Sequence, residues 1–589
     1  MPDDQPWGRR LVVCCDGTWQ SSVSGRENVP SNVTKLCRLI ARIGLERDNP
    51  SKKWHQVVYY DSGIGTGDIS QFESGWQGGT GAGLAENVIE AYNFIVMNYE
   101  PGDEIFCFGF SRGAYTARAV AGLVSDIGVM RPIDMEFFPE VYRAYTTNEK
   151  GFEFRETKAW EWFVKGKLSK EGEQLEKAGT KFLDDEKFQA EVWEIPPHGE
   201  LAINPASRRV KVVGVWDTVG SLGVPDVIGI DNADKRLQFG FHNVKLSQNI
   251  EHAYQALALN ERRESFRPTL WYIPYGMTED VPDLKQVWFP GVHINCGGGS
   301  DDCQKDMEGD LENISMATLT WMLQCVSPFL TIDKSAFNDY LHKHQQWLNK
   351  IRFACTYHHT KSESTAQRLW HKVPNILHFN ETPDALIPTP RDPPHAHKTF
   401  DYGWGIGPLK DPFSGIYYLN GTHPRDPGHE AIEAYHPKAK EQQWTPLTDL
   451  GRTHEYIHPI VYHRRLVRGW DAYSPLRQGW TRMHKRLEDD NKERFWWYKT
   501  SEADEAFRDG KPYKALPEWA ILPEVGTPGP KNYEREWYRM CEKSEATVRA
   551  LAKARDIDQV DGLGRPDFLK SLDVDIDFGV GKRATNQWP

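Results

Sequence analysis

The chain has 589 residues, of which 26% are charged, with a formal net charge of −12 and a sequence pI near 6.0. That length exceeds one ordinary domain. The acidic balance, with no Lys/Arg block, gives no support to a nucleic-acid or anionic-membrane partner, and no apolar run reaches the roughly 18 residues of a membrane span.

The start, MPDDQPWGRR, is acidic and runs directly into an apolar stretch, so no ordinary secretory leader is expected and the protein reads as soluble and cytoplasmic. Nine cysteines, several inside apolar runs (Cys14, Cys15, Cys107, Cys325), act as small buried hydrophobes, and without a C-x-x-C pair they offer no zinc site of that kind. No cofactor or metal is called for.

Arg10 to Cys15 reads as a first strand, ending in Asp16-Gly17-Thr18-Trp19. A phosphatase signature D-x-D-G-T would need an aspartate where Cys14 stands, so that reading fails. Two readings remain: a turn whose backbone N–H groups serve an oxyanion hole, or a plain strand-ending turn. Asn32 to Ile43 follows as a helix and His55 to Tyr60 as a strand. The glycines through Gly83 lack the Lys-Ser/Thr that closes a phosphate loop, so a loop leading into a helix from Leu84 to Tyr99 is expected.

Asp103 to Val120, DEIFCFGFSRGAYTARAV, is the stretch around which the chain is organised. An apolar strand (Ile105–Phe108) meets Gly109-Phe110-Ser111-Arg112-Gly113, and a small-residue helix begins at Ala114: strand, G-x-S-x-G turn, helix. In such a turn the glycines are needed where a Cβ would strike a neighbouring strand or helix, and the serine sits at the tip above a helix N-terminus. Ser111 is therefore the candidate nucleophile.

From about 131 to 207 the pattern turns helical, charged and Trp-rich, which fits an amphipathic insertion, either a lid over the site or a bracket with no gating role. Val210 to Trp216 is a strand ending in Asp217; Asn249 to Arg263 reads as a helix; Gln286 to Phe289 is a strand followed by His293 and the glycines Gly297 to Gly299; Leu311 to Cys325 is a helix. Serine, aspartate and histidine thus each follow the C-terminal end of a strand, and in open parallel sheets those ends converge on one crevice. Beyond about His371, proline- and glycine-rich sequence with many aromatics predicts a loop-rich extension packed on the core.

The fold class expected is α/β: an α/β-hydrolase-like, mostly parallel central sheet flanked by helices, with a helical insertion and a loop-rich C-terminal extension. A catalytic domain at 8–372 and an extension at 373–589 follow. In the expected chemistry Ser111 is acylated, His293 is base and then acid, and Asp217 holds the imidazole tautomer. The N–H of Arg112 and one from the Asp16-Gly17-Thr18 turn bind the oxyanion. Asp217 has a rival role as a capping residue.

The segments VVCCDGTW (12–19), FGFSRGAYTARAVAGL (108–123), GVWDTVGSLG (214–223), LNERRESFRPTLW (259–271) and QVWFPGVHINCGGG (286–299) resemble the α/β-hydrolase domain family of the type VI secretion phospholipase effectors and their uncharacterised fungal relatives. RDPG at 425–428 and EYIHPIV at 455–461 resemble the extension of the fungal members. The resemblance implies a serine esterase or phospholipase acting on an ester or lipid substrate. A thioesterase, peptidase or acyltransferase on the same scaffold, or a binding protein that retains the fold, stays open.

Two positions depart from the family pattern. Asn295 stands where a carboxylate is usual after the histidine, and His458-Pro459-Ile460 replaces His-Pro-Ser. His458 is the second candidate for the base, since a late histidine preserves the same chain order.

Overall fold

The computed structural model describes residues 7–17, 29–62, 82–146, 154–177, 193–195, 197, 205–219, 244–299, 310, 312–345, 403–409, 421–436, 441–486, 493–503, 515–521 and 532–541. Its centre is set by three apolar runs, GRRLVVCC, EIFCFGF and VKVVGVW, whose residues are buried almost throughout. Strands covered on both faces need such continuous apolar sequence, and a parallel sheet covers both faces with its crossover helices.

The strands of this sheet are β1 (Gly8–Cys15), β2 (Ile43–Leu45), β3 (Lys53–Asp61), β4 (Glu104–Phe110), β5 (Val210–Trp216), β6 (Ile250–Ala258), β7 (Asp283–Phe289) and β8 (Glu455–Ile457). Their spatial order is β8-β7-β6-β5-β4-β1-β3-β2. Every pairing is parallel except β2 with β3. The fold is thus an α/β-hydrolase-like, mostly parallel sheet flanked by helices.

Alternate residues of the central strands feed opposite cores. Val12, Phe106, Phe108, Val212 and Val287 pack against α1 (Asn32–Leu39) and α5 (Asn313–Val326). Leu11, Val13, Ile105, Cys107 and Val213 pack against α2 (Ala82–Asn98) and α3 (Arg112–Ile127). A short α4 (His293–Gly297) follows β7.

The segment expected as a helix, Asn249 to Arg263, is instead the strand β6, paired with β5 on one side and β7 on the other. Its alanines and leucines have good helix propensity, but Ala253 and Ala256 are buried in opposite cores. Filling a central slot on both faces outweighs a propensity of a few tenths of a kcal/mol per residue.

The described part of the insertion grips the far end of α3. Tyr145 donates to Asp126 at 2.7 Å, Arg155 to the carbonyl of Ile127 at 2.8 Å and Arg208 to that of Ser125 at 2.6 Å. Since α3 is 16 residues long, that end lies roughly 22 Å from Ser111. These contacts hold the described part of the insertion at the end of α3 away from Ser111.

The extension does more than cover the core. It supplies β8, the last strand of the main sheet, and Ile457, Leu476, Trp497 and Leu516 join Leu257, Leu270 and Trp288 in a third buried cluster at that edge. Among the described residues no helix is long and apolar enough to cross a membrane.

Candidate active site

The two glycines around Ser111 face different obstacles. A Cβ on Gly109 would overlap the backbone of Gly113 and Ala114 in α3, and one on Gly113 would overlap the carbonyl oxygens of Cys15 and Asp16 at the end of β1. Only glycine lets the turn close between helix and strand. Ser111 takes φ 58° and ψ −122°, a conformation unfavourable for a residue with a side chain. Its N–H reaches the carbonyl of Trp216 at 3.2 Å, which fixes the turn to the end of β5.

The next residue there is Asp217, also at positive φ, 39°. It is fully buried, its N–H donates to the Ala256 carbonyl at 2.8 Å, and its Oδ1 accepts the Ala258 N–H at 3.0 Å. The carboxylate is thus bonded to the backbone of β6. Oδ2 lies 2.6 Å from Nδ1 of His293. The same oxygen accepts from Nη2 of Arg425, at 3.0 Å. Burial would push this carboxyl up, but the Arg425 guanidinium, then the His293 hydrogen bond, hold it below the ordinary carboxylate value. An ionised carboxylate can only accept, so Nδ1 carries the proton in this contact.

His293 opens α4 and is 6% exposed. Its ring lies 4.8 Å from that of Phe110, the neighbour of Ser111, and meets Phe266 edge-on at 4.9 Å. Its backbone N–H donates to Glu261 at 3.2 Å. Burial would raise the Glu261 carboxyl, but the Arg263 pair pulls it down to about 2. Nε2 is buried and makes no hydrogen bond among the described residues, to Ser111 or to any other group. Asn295, where a carboxylate was expected in relatives, turns back to accept the Val292 N–H at 3.1 Å and so closes its own turn.

The β1 turn comes close to the serine: a Cβ on Gly17 would stand 2.9 Å from the Phe110 ring and 3.5 Å from Cβ of Ser111. Asp16 anchors it. Its Oδ2 accepts from Ser31 (2.6 Å), Thr34 (2.8 Å) and Tyr60 (2.7 Å), and its Oδ1 accepts the Gly17 N–H at 2.7 Å. Burial outweighs these donors and raises the Asp16 carboxyl. The Gly17 N–H, expected as one oxyanion donor, is thus already engaged by a carboxylate. Thr18, the next donor of this turn, lies outside the described residues. Arg112, the other expected oxyanion donor, begins α3 directly after Ser111.

His458 lies elsewhere. Its Nε2 is 3.1 Å from Glu534, its Nδ1 accepts the Ile460 N–H at 3.2 Å, and its ring stacks on Phe289 at 4.4 Å. Both ring nitrogens are occupied. Sequence reasoning missed Arg425, Glu261 and Phe266 as neighbours of the histidine; the first lies in RDPG and the others in NERRESF, both already visible as segments that resemble the family.

A curated relative, an uncharacterized protein of Saccharomyces cerevisiae, is 26% identical over 287 residues, covering 45% of this chain and 34% of its own length. A solved structure of the Tle1 effector bound to the VgrG spike of the type 6 secretion system is 19% identical, with a TM-score of 0.24, over 50% of this chain and 51% of that one. An uncharacterized protein from Pseudomonas aeruginosa is 16% identical, with a TM-score of 0.28, over 55% of this chain and 46% of that one. The chain thus spans about a third of the curated relative and about half of each solved structure. Residues 9–325, more than half of the chain, match the catalytic-domain model of the type VI secretion system phospholipase effectors of Tle1 type, and the chain belongs to that Tle1-like family.

Proposed function

We propose that this protein is a serine hydrolase that cleaves carboxylic esters of lipids, phospholipids among them, through an acyl-enzyme on Ser111. The observation that carries this reading is the strained Ser111, locked between Gly109 and Gly113, next to a buried Asp217–His293 pair whose Nε2 makes no hydrogen bond among the described residues. Membership of a phospholipase effector family supports the lipid-ester class.

In this mechanism Ser111 Oγ attacks the ester carbonyl carbon and its proton passes to Nε2 of His293. Substrate binding has to close the contact between Oγ and Nε2, as catalytic hydrogen bonds often tighten only in the reacting complex. The oxyanion is met by the N–H of Arg112 and one from the Asp16-Gly17-Thr18 turn. Nε2 then protonates the departing alcohol, leaving Ser111 acylated. Water attacks the acyl carbon, gives its proton to Nε2, and the carboxylic acid leaves as the serine is restored.

A fluorophosphonate probe followed by peptide mass spectrometry tests the assignment, together with a series of short-chain, long-chain and phospholipid esters. Adduct on Ser111 and ester turnover abolished in Ser111→Ala are expected. Absence of the adduct from folded protein, or turnover retained by Ser111→Ala, overturns it.

A further inference from the structure

Arg425 lies outside the residues that match the family model, yet its guanidinium is 1% exposed and bonds Asp217 Oδ2 at 3.0 Å. Its Nε and Nη1 are buried and make no hydrogen bond among the described residues. A cation buried with one partner and two unsatisfied nitrogens is a poor way to stabilise a fold, because desolvation is recovered only when the remaining donors are also met. A buried aliphatic side chain would fill this space at lower cost. The arrangement needs another reason.

The segment is delivered to this position by its own bonds. His423 N–H donates to the Arg262 carbonyl at 2.8 Å, Glu264 N–H to that of Gly421 at 3.3 Å, and Arg263 forms a bridge with Thr422. On the other side of Arg425, Asp426 N–H donates to Glu430 at 2.8 Å and Gly428 N–H to Glu455 at 2.7 Å. Glu455 in turn accepts from the Trp288 indole at 2.9 Å, so the strap is tied to both β8 and β7.

Among the described residues, the other charges facing the pair nearly cancel. Glu261, under the backbone of His293, is matched by Arg263. Cys296 is buried and its thiol is pushed well up by burial, so it stays neutral. Arg425 is therefore the cation that Asp217 and His293 feel.

We propose that Arg425 is a positioning residue of the hydrolytic site: it fixes Asp217 Oδ2 against His293 and opposes charging of the resting imidazole, which makes the C-terminal segment part of the active site. Asp217 shared between two donors cannot rotate away from the ring. A fixed cation beside the carboxylate also competes with an imidazolium for the same oxygen. The inference rests on the Ser111 reading above.

The test uses the full chain and measures the rate of fluorophosphonate labelling at Ser111 over roughly pH 5 to 9, the range in which an imidazole titrates. Wild type, Arg425→Gln and Arg425→Lys are compared, with circular dichroism to establish folding. In Arg425→Gln the pH of half-maximal labelling is expected to rise by about one pH unit, with a rate near neutrality lower by on the order of tenfold. Arg425→Lys, which keeps a cation, is expected to restore the wild-type profile at a reduced rate. A folded Arg425→Gln with the wild-type profile overturns the inference, and so does loss of the fold in both variants, which makes the guanidinium a fold determinant only. If wild type itself takes no label on Ser111, the Ser111 reading fails and this inference falls with it.

Discussion

Ser111 and Asp217 occupy the ends of neighbouring strands and both sit at positive φ, 58° and 39°, joined through the Ser111 N–H bond to Trp216. Such backbone conformations in residues with a Cβ cost on the order of 1–3 kcal/mol each and persist only where the surroundings impose them. Ser111→Gly is therefore expected to abolish ester turnover while raising the melting temperature, and Ser111→Ala to abolish turnover without that gain. Calorimetry on both variants decides it. An unchanged or lower melting temperature for Ser111→Gly would show that the turn is not strained.

Asp217→Asn removes the acceptor that holds Nδ1 protonated, and an amide can present N–H to the ring and favour the wrong tautomer. The expected result is a drop in kcat of roughly 10³–10⁴ with little change in KM. It also leaves the buried Arg425 cation without the carboxylate it bonds, so the melting temperature should fall. Steady-state kinetics with any ester that wild type hydrolyses checks the first part; a loss confined to KM would place Asp217 in binding alone.

Much of this arrangement was legible because it rests on local chemistry. The Gly109–Ser111–Gly113 turn follows a strand and precedes a helix, and both glycines meet backbone where a Cβ would stand. Asp217 and His293 each follow an apolar strand, and parallel topology brings those ends together. What was hidden depended on distant packing. Ile250–Ala258 has helix-forming residues but completes a sheet. Glu455–Ile457 is only three residues long, and nothing in so short a run marks it as the edge of a sheet begun far earlier in the chain. Arg425 sits in a proline-flanked turn with no periodicity, so its delivery to Asp217 is a product of tertiary docking. The expected oxyanion role of Gly17 failed to anticipate that the Asp16 carboxylate would take its N–H.

The two histidines with a claim on the base role are separable by their partners. His458 is enclosed by Glu534, Ile460, Phe289 and Trp404, so its loss leaves the buried Glu534 without this partner. His458→Ala is expected to destabilise by about 1–3 kcal/mol and to keep near-normal turnover per folded molecule. His293→Ala should fold and lose turnover. Circular dichroism and the soluble protein concentration normalise both rates to folded protein; the opposite pattern would move the base to the extension.

A pH dependence of stability resides in a buried cluster away from the serine. His344 Nε2 is 3.0 Å from Asp310 and Nδ1 is 3.4 Å from Glu312, whose other oxygen takes Lys35 at 2.8 Å. Burial alone would lower His344, but Asp310 and then Glu312 more than reverse this and raise it from 6.5 to about 9. A group whose folded value lies above its unfolded value stabilises the fold while protonated in both states, and that contribution disappears as pH climbs through the folded value. His344 therefore supports the fold fully below about 6.5 and loses that support as pH rises to about 9. Asp61, raised from 3.8 to about 6 by burial, makes stability fall with pH across a lower window and does not overlap. The melting temperature of wild type should decline between about pH 6.5 and 9. His344→Gln should begin lower and decline less across the same range. If the two proteins lose stability in parallel there, His344 is not the group responsible.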